Sequence, residues 1–254
     1  MRMTKILIVS TLAALAPAAL AQDAAPAAQP AAPAQAAPAA AAMEYCVFRT
    51  TKGDIVIELD RAKAPISVEN FIGYIKDGHY DGTVFHRVIP GFVIQGGGFD
   101  TAAVQKKTKA PIKNEWQNGL KNKRGTLSMA RTNVPDSATS QFFVNLVDNV
   151  PLDTPRGGAA YAVFGKVVSG MDVVDSIAAV KTGVMNGMRD WPADNIVVTK
   201  AEMLTKDAAD KMVAEKAKAA PASAPAAAPA AAPAAPSAPP AGRPTSVPKP
   251  PRPE

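Results

Sequence analysis

Between residues 43 and 204, short apolar and β-branched runs recur between turn-forming residues, and this rhythm predicts antiparallel strands. Tyr45–Thr51 and Asp54–Leu59 flank Lys52-Gly53 and read as a hairpin. Further strands are expected at Val84–His86, Phe92–Gln95, Thr126–Ala130, Phe142–Asn145, Ala162–Val167 and Ile196–Ala201. Two segments carry helical spacing instead. Ser67 can cap a helix with Val68, Phe71, Ile72 and Ile75 on one face and Gly78 as its stop. Met171, Val174 and Ile177 repeat that spacing after Ser169-Gly170. Many strands with two helices fit a mainly β fold, a closed antiparallel barrel capped at its ends, better than alternating βαβ units.

Outside this region the pattern fades into alanine and proline. Twelve of the 24 prolines fall in residues 221–254, and only seven lie between 43 and 204. Such segments lack the large apolar side chains that repay ordering entropy, so 22–42 and 221–254 read as disordered tethers with polyproline II character. The folded part is therefore one domain, 43–204. Residues 205–220 continue it as a charged helical extension with the pairs Lys206–Asp210 and Asp207–Lys211. Its apolar content is low, which suggests a solvated helix leading into the tail.

Met1–Ala21 reads as a secretory signal. Arg2 and Lys5 form its basic start, Ile6–Leu20 its apolar stretch, and Ala19-Leu20-Ala21 its cleavage site. A membrane-spanning helix needs about 20 apolar residues. This run is shorter and contains Pro17, so no span is expected in the mature, exported protein. Cys46 is the only cysteine, which excludes an internal disulfide, and it reads as a small apolar strand residue.

Charge removes one class of partner. The formal net charge is +6, yet residues 43–204 hold 19 basic and 17 acidic groups. The excess lies in the ends, so nucleic-acid binding is not indicated. Two histidines and one cysteine cannot assemble an ordinary Cys/His zinc site. No serine stands in G-x-S-x-G, and Gly96-Gly97-Gly98 lacks the residues that make a phosphate loop. It suits close backbone approach beside a groove. His86, in a strand-like run, reads as a structural histidine.

Two stretches concentrate the remaining candidates: FHRVIPGFVIQGGGF (Phe85 to Phe99) and GTLSMARTNVPDSATSQFFVNLVDN (Gly125 to Asn149). With AVFGKVVSGMDVVDSI (Ala162 to Ile177), they resemble the cyclophilins, a family of peptidyl-prolyl cis-trans isomerases. PIKNEWQNGLKNKRGT looks most like exported bacterial members, which implies a periplasmic location. The resemblance implies an eight-stranded antiparallel barrel, two capping helices, a peptide groove on the outer face, and no cofactor. Arg87 matches the catalytic arginine. Phe92, Val93, Phe143 and Leu152 match the walls of a proline pocket, with Gln95 beside it. Ala130 and Arg131 match the segment whose backbone meets the extended substrate, Gln141 a further groove residue, and Tyr161 a rim position where histidine is common. Pro151 replaces a tryptophan that helps bind cyclosporin, so sensitivity to that drug is expected to be weak.

The implied partners are proline-containing peptides and unfolded exported proteins. Rotation about X–Pro faces roughly 18–20 kcal/mol because amide resonance must break. At the twisted midpoint the proline nitrogen becomes a better acceptor, and a guanidinium aimed there favours that state over both planar isomers. A binding-class alternative is a chaperone whose groove holds proline-containing segments. The tail reads as a spacer, with docking to the cell envelope as an alternative role.

Overall fold

The structure, a computed structural model, describes residues 43–219. The expectations for 1–21, 22–42 and 221–254 concern residues outside that range.

The apolar runs on either side of Thr51-Lys52 pair residue for residue, Phe48 with Ile55 and Cys46 with Ile57, as β1 (Glu44–Thr50) and β2 (Gly53–Leu59). Then follow α1 (Pro65–Lys76), β3 (Arg87–Ile89), β4 (Val93–Gly96), β5 (Thr126–Met129), β6 (Phe142–Asn145), β7 (Val163–Ser169) and α2 (Met171–Ala178). A hairpin of β8 (Thr182–Met185) and β9 (Met188–Pro192) precedes β10 (Val198–Leu204) and α3 (Lys206–Ala219). Eight strands form one antiparallel sheet in the order β10-β1-β2-β7-β5-β6-β4-β3. The expected fold class holds with one refinement. The ladder does not run continuously from β3 round to β10. Instead Val84 bridges Val197, and Phe85 N–H donates to the Ile196 carbonyl at 3.1 Å. The expected strand Val84–His86 does not form as a strand: Val84 and Phe85 serve this closure, and β3 starts at Arg87.

Aromatic rings fill the interior. Phe71 of α1 lies within 5.0–5.7 Å, centroid to centroid, of Phe48, Tyr80, Phe142 and Phe164. Both expected helices bury the residues their spacing indicated, Val68, Phe71, Ile72 and Ile75 from α1 and Val174 and Ile177 from α2. The start of α1 differs from expectation. Pro65 opens the helix, and Ser67 is buried in its first turn rather than capping it. The cap comes from a distant loop, where the Glu115 carboxylate accepts from the N–H groups of Ile66 (3.0 Å) and Ser67 (2.7 Å). An acidic group there satisfies two otherwise unpaired donors at the positive end of the helix. Gly170 opens α2 at φ 94°, where a Cβ would sit 2.4 Å from the Asp54 carbonyl.

α3 also departs from the solvated helix expected. Ala209 is buried, and with Met212 it covers Tyr45, Val47 and Val56 on the outer face of β1 and β2. Lys216 pairs with Asp172 of α2 at 3.0 Å, and Lys206 with Asp210 at 2.5 Å. The cause lies in β1. Cys46 and Phe48 point into the core while Tyr45 and Val47 are apolar on the other face, so both faces need covering. The β8–β9 hairpin was not anticipated, because every residue of β8 is exposed and the segment shows no alternation.

A chain ending at Ala219 keeps α3 whole. One ending at Leu204 loses the cover over three apolar side chains, about 2–4 kcal/mol. Calorimetry should show a drop on the order of 5–10 °C for that chain, and equal melting of the two would show that α3 does not stabilise the domain.

Candidate active site

The register of four strands sets the site. Arg87 of β3 stands opposite Gln95 of β4, Gln95 opposite Phe143 of β6, and Phe143 opposite Ser128 of β5. The adjoining rank, Val88, Ile94, Val144 and Leu127, faces the core. Since successive strand residues point to opposite faces, the Arg87 rank must lie outside. Arg87 and Gln95 are half-buried there.

Nine of the ten expected residues line one cavity of about 160 Å³: Arg87, Phe92, Val93, Gln95, Ala130, Arg131, Phe143, Leu152 and Tyr161. Phe143 and Tyr161 meet edge to face at 5.5 Å, and Tyr161 N–H donates to the Leu152 carbonyl at 3.2 Å. The tenth residue, Gln141, is half-buried beside the cavity, and its Oε1 accepts from the lining residue Gln95 through Nε2 at 2.9 Å. That position depends on a missing side chain, because a Cβ on Gly98 would lie 2.6 Å from Gln141 Cδ. The bare glycine run thus permits the close approach expected of it.

Arg131 differs in character from Arg87. Its guanidinium donates to the carbonyls of Ala160 (3.2 Å), Thr132 (2.8 Å) and Arg156 (2.9 Å), and its carbon lies 4.8 Å over the Tyr161 ring. Its side chain fixes the loop that carries Tyr161. Ala130 N–H donates to the Gln141 carbonyl at 3.0 Å, so the backbone group it offers an extended peptide is its carbonyl.

A buried amide network beneath the cavity escaped sequence reasoning. Asn122 Oδ1 accepts from Ser128 Oγ (2.7 Å) and Asn145 Nδ2 (3.2 Å). Asn149 Nδ2 donates to Asn145 Oδ1 (2.7 Å) and to the Phe92 carbonyl (3.0 Å). Asn122 Nδ2 also donates to Asp153 Oδ1 at 2.8 Å. The network ties β5, β6, the Phe92 wall and the Leu152 turn together, and a satisfied buried network of this kind rigidifies its surroundings. Its one signal in the sequence is Asn145, a lone amide ending the apolar run Phe142–Val144.

No nucleophile accompanies this arrangement. Ser128 is buried and bonded, and the Cys46 thiol sits in the core, where burial raises its pKa strongly. The chemistry on offer is an apolar ring pocket with a guanidinium on its wall. Among the described residues, no cluster of three His, Cys, Asp or Glu could hold a metal ion, and no helix is long and apolar enough to cross a membrane.

His86, beside Arg87, is 5 % exposed, and its Nδ1 has no hydrogen-bond partner. Burial outweighs the nearby Val84 carbonyl and Gln141 side chain and lowers its pKa from 6.5 to about 4. Between those values the unfolded chain binds the proton and the folded one does not. Stability should therefore fall as pH drops from 6.5 towards 4, by on the order of 3 kcal/mol over the whole window. His86→Phe keeps a ring there and removes that contribution. Its melting temperature should fall less steeply with acid than the wild type's, whereas parallel profiles would show that His86 is not held neutral.

Residues 45–203 match the profile of the family described as cyclophilin type peptidyl-prolyl cis-trans isomerase/CLD. The chain is 51% identical over 162 residues to peptidyl-prolyl cis-trans isomerase A of Dickeya dadantii, covering 64% of this chain and 85% of that protein. It is 53% identical over 154 residues to peptidyl-prolyl cis-trans isomerase B of Escherichia coli, covering 59% and 94%. A crystal structure of a Cryptosporidium parvum cyclophilin type isomerase superposes with a TM-score of 0.54 at 25% identity, covering 65% of this chain and 99% of that one. A second structure of that protein, obtained in the presence of the dipeptide Ala-Pro, gives 0.53 at 26% identity, covering 64% and 99%. With the family profile spanning most of the chain, and relatives more than half identical across the domain, the chain belongs to the cyclophilin-type peptidyl-prolyl cis-trans isomerases.

Proposed function

We propose that this isomerase accelerates X–Pro rotation in exported proteins and so assists their folding, with Arg87 stabilising the twisted amide. One observation carries the mechanism. Arg87 stands at the wall of the cavity, in register with Gln95 and Phe143, where its charge would meet a proline ring held by the apolar side chains Phe92, Val93, Phe143 and Leu152. The pocket grips the pyrrolidine while the preceding carbonyl swings. As conjugation is lost, the nitrogen recovers its lone pair and the guanidinium binds it more strongly than in either planar isomer. Arginine stays charged through the working pH range, so the step needs no proton transfer and no covalent intermediate. The similar structure obtained with Ala-Pro supports proline-containing peptides as the ligand class. Removing one preorganised donor costs about 10²–10³ in rate. Arg87→Ala is therefore expected to lose that much acceleration of cis-to-trans exchange on an Ala-Pro peptide, and a variant as fast as wild type would refute the role.

The export reading rests on the signal-like Met1–Ala21. Uncatalysed proline isomerisation takes tens of seconds or longer, slow enough to limit folding outside the cytosol. Fractionation with N-terminal sequencing is expected to find the protein periplasmic and beginning at Gln22. An intact Met1 in the cytosolic fraction would rule the location out.

A further inference from the structure

Among the described residues, Arg87 pairs with one acidic group, its Nε lying 3.5 Å from Asp190 Oδ2. Both side chains are about two-fifths exposed, and pairs of that kind add little to stability. The way the backbone delivers the carboxylate is what singles it out. β8 and β9 pair Gly183 with Trp191 and Val184 with Arg189, which leaves Asp190 as the extra residue of a bulge. Its φ of 63° is in the left-handed region, which residues other than glycine adopt uncommonly and at some cost, aspartate and asparagine less than most. Bulges beside active sites re-aim side chains, and strain kept at such a position points to use. Closing the hairpin does not require it, because Asn186-Gly187, with φ 48° and 80°, makes the turn.

The next residue anchors the bulge. Trp191 is 2 % exposed, its ring lies 6.1 Å from both His86 and Phe99, and its Nε1 donates to Asn195 Oδ1 at 3.1 Å. Trp191 thus packs on the residue before Arg87 while Asp190 meets Arg87 itself. Asp190 is not among the residues lining the cavity.

We propose that Asp190 is a positioning residue for Arg87. Its carboxylate tethers the guanidinium by the Nε edge and leaves both Nη groups to face the substrate amide. The proposal rests on the reading of Arg87 as the group that stabilises the twisted state. An untethered arginine at this exposure would sample several rotamers, few of them aimed at the proline nitrogen. At 3.5 Å the contact restrains the side chain without locking it.

The test measures exchange on an Ala-Pro peptide, peptide affinity and melting temperature for wild type, Arg87→Ala, Asp190→Asn and Asp190→Gly. Asparagine tolerates the left-handed backbone and removes the charge. Asp190→Asn is expected to slow exchange at saturation about tenfold, with affinity unchanged within about twofold. Asp190→Gly relieves the backbone strain, so it should melt higher than wild type while slowing exchange to the same extent. A residue with a merely structural role would not raise stability and lower turnover together. In an Arg87→Lys background, Asp190→Asn should have little further effect, since the two act as a unit. An Asp190→Asn rate within twofold of wild type, beside an inactive Arg87→Ala, overturns the positioning role alone. Equal slowing in the wild-type and Arg87→Lys backgrounds overturns it as well. An Arg87→Ala enzyme as fast as wild type removes the reading of Arg87 and the proposal with it.

Discussion

In β3, β4, β6 and β5 the side chains alternate between two faces, so the register of pairing decides what the groove contains. Val88, Ile94, Val144 and Leu127 form the inward rank, and a slip of one residue would bring Arg87 and Gln95 into the core in their place. Burying an unpaired guanidinium and an amide costs far more than the strands could regain elsewhere. The same apolar contacts that close the barrel therefore hold the cation outside. Under the proposed mechanism, folding and catalysis depend on one alignment.

That alignment places a charge where it can act, and the surroundings fit it for the task. Phe92, Val93, Phe143 and Leu152 line the cavity with Arg87, and apolar neighbours strengthen any interaction between a guanidinium and an acceptor held there. The second cation, Arg131, spends its donors on loop carbonyls and supports Tyr161. The Asn122, Asn145 and Asn149 amides are bonded to one another and to the Phe92 carbonyl, which braces the wall of the cavity. The proposed division of labour is between an apolar grip and one guanidinium at its edge.

Much of this was legible in the sequence because it is local. Helical spacing identified the buried faces of α1 and α2, and the contiguous runs around Arg87 and Phe143 carried seven of the nine cavity residues. What escaped depends on partners distant along the chain. Glu115 caps α1 from another loop, which no spacing near Ser67 could reveal. Val84 and Phe85 look continuous with Arg87, yet they pair with Val197 and Ile196 while Arg87 begins another ladder. The apolar face of α3 is small, and the better signal for its docking was the unbroken apolar run of β1. Asp190 sits in an exposed hairpin without alternation, where an acidic residue reads as solvated until the bulge that aims it is seen.

The central claim is that Arg87 binds the twisted amide more strongly than the planar one. The most direct measurement is exchange NMR on an Ala-Pro peptide, comparing wild type with Arg87→Met, a side chain of similar reach without charge. It reports affinity and the interconversion rate of bound peptide separately. Affinity should stay within about twofold while the bound rate falls by about a hundredfold or more. A variant that binds more weakly but interconverts bound peptide at the wild-type rate would show that Arg87 holds the substrate without stabilising its transition state.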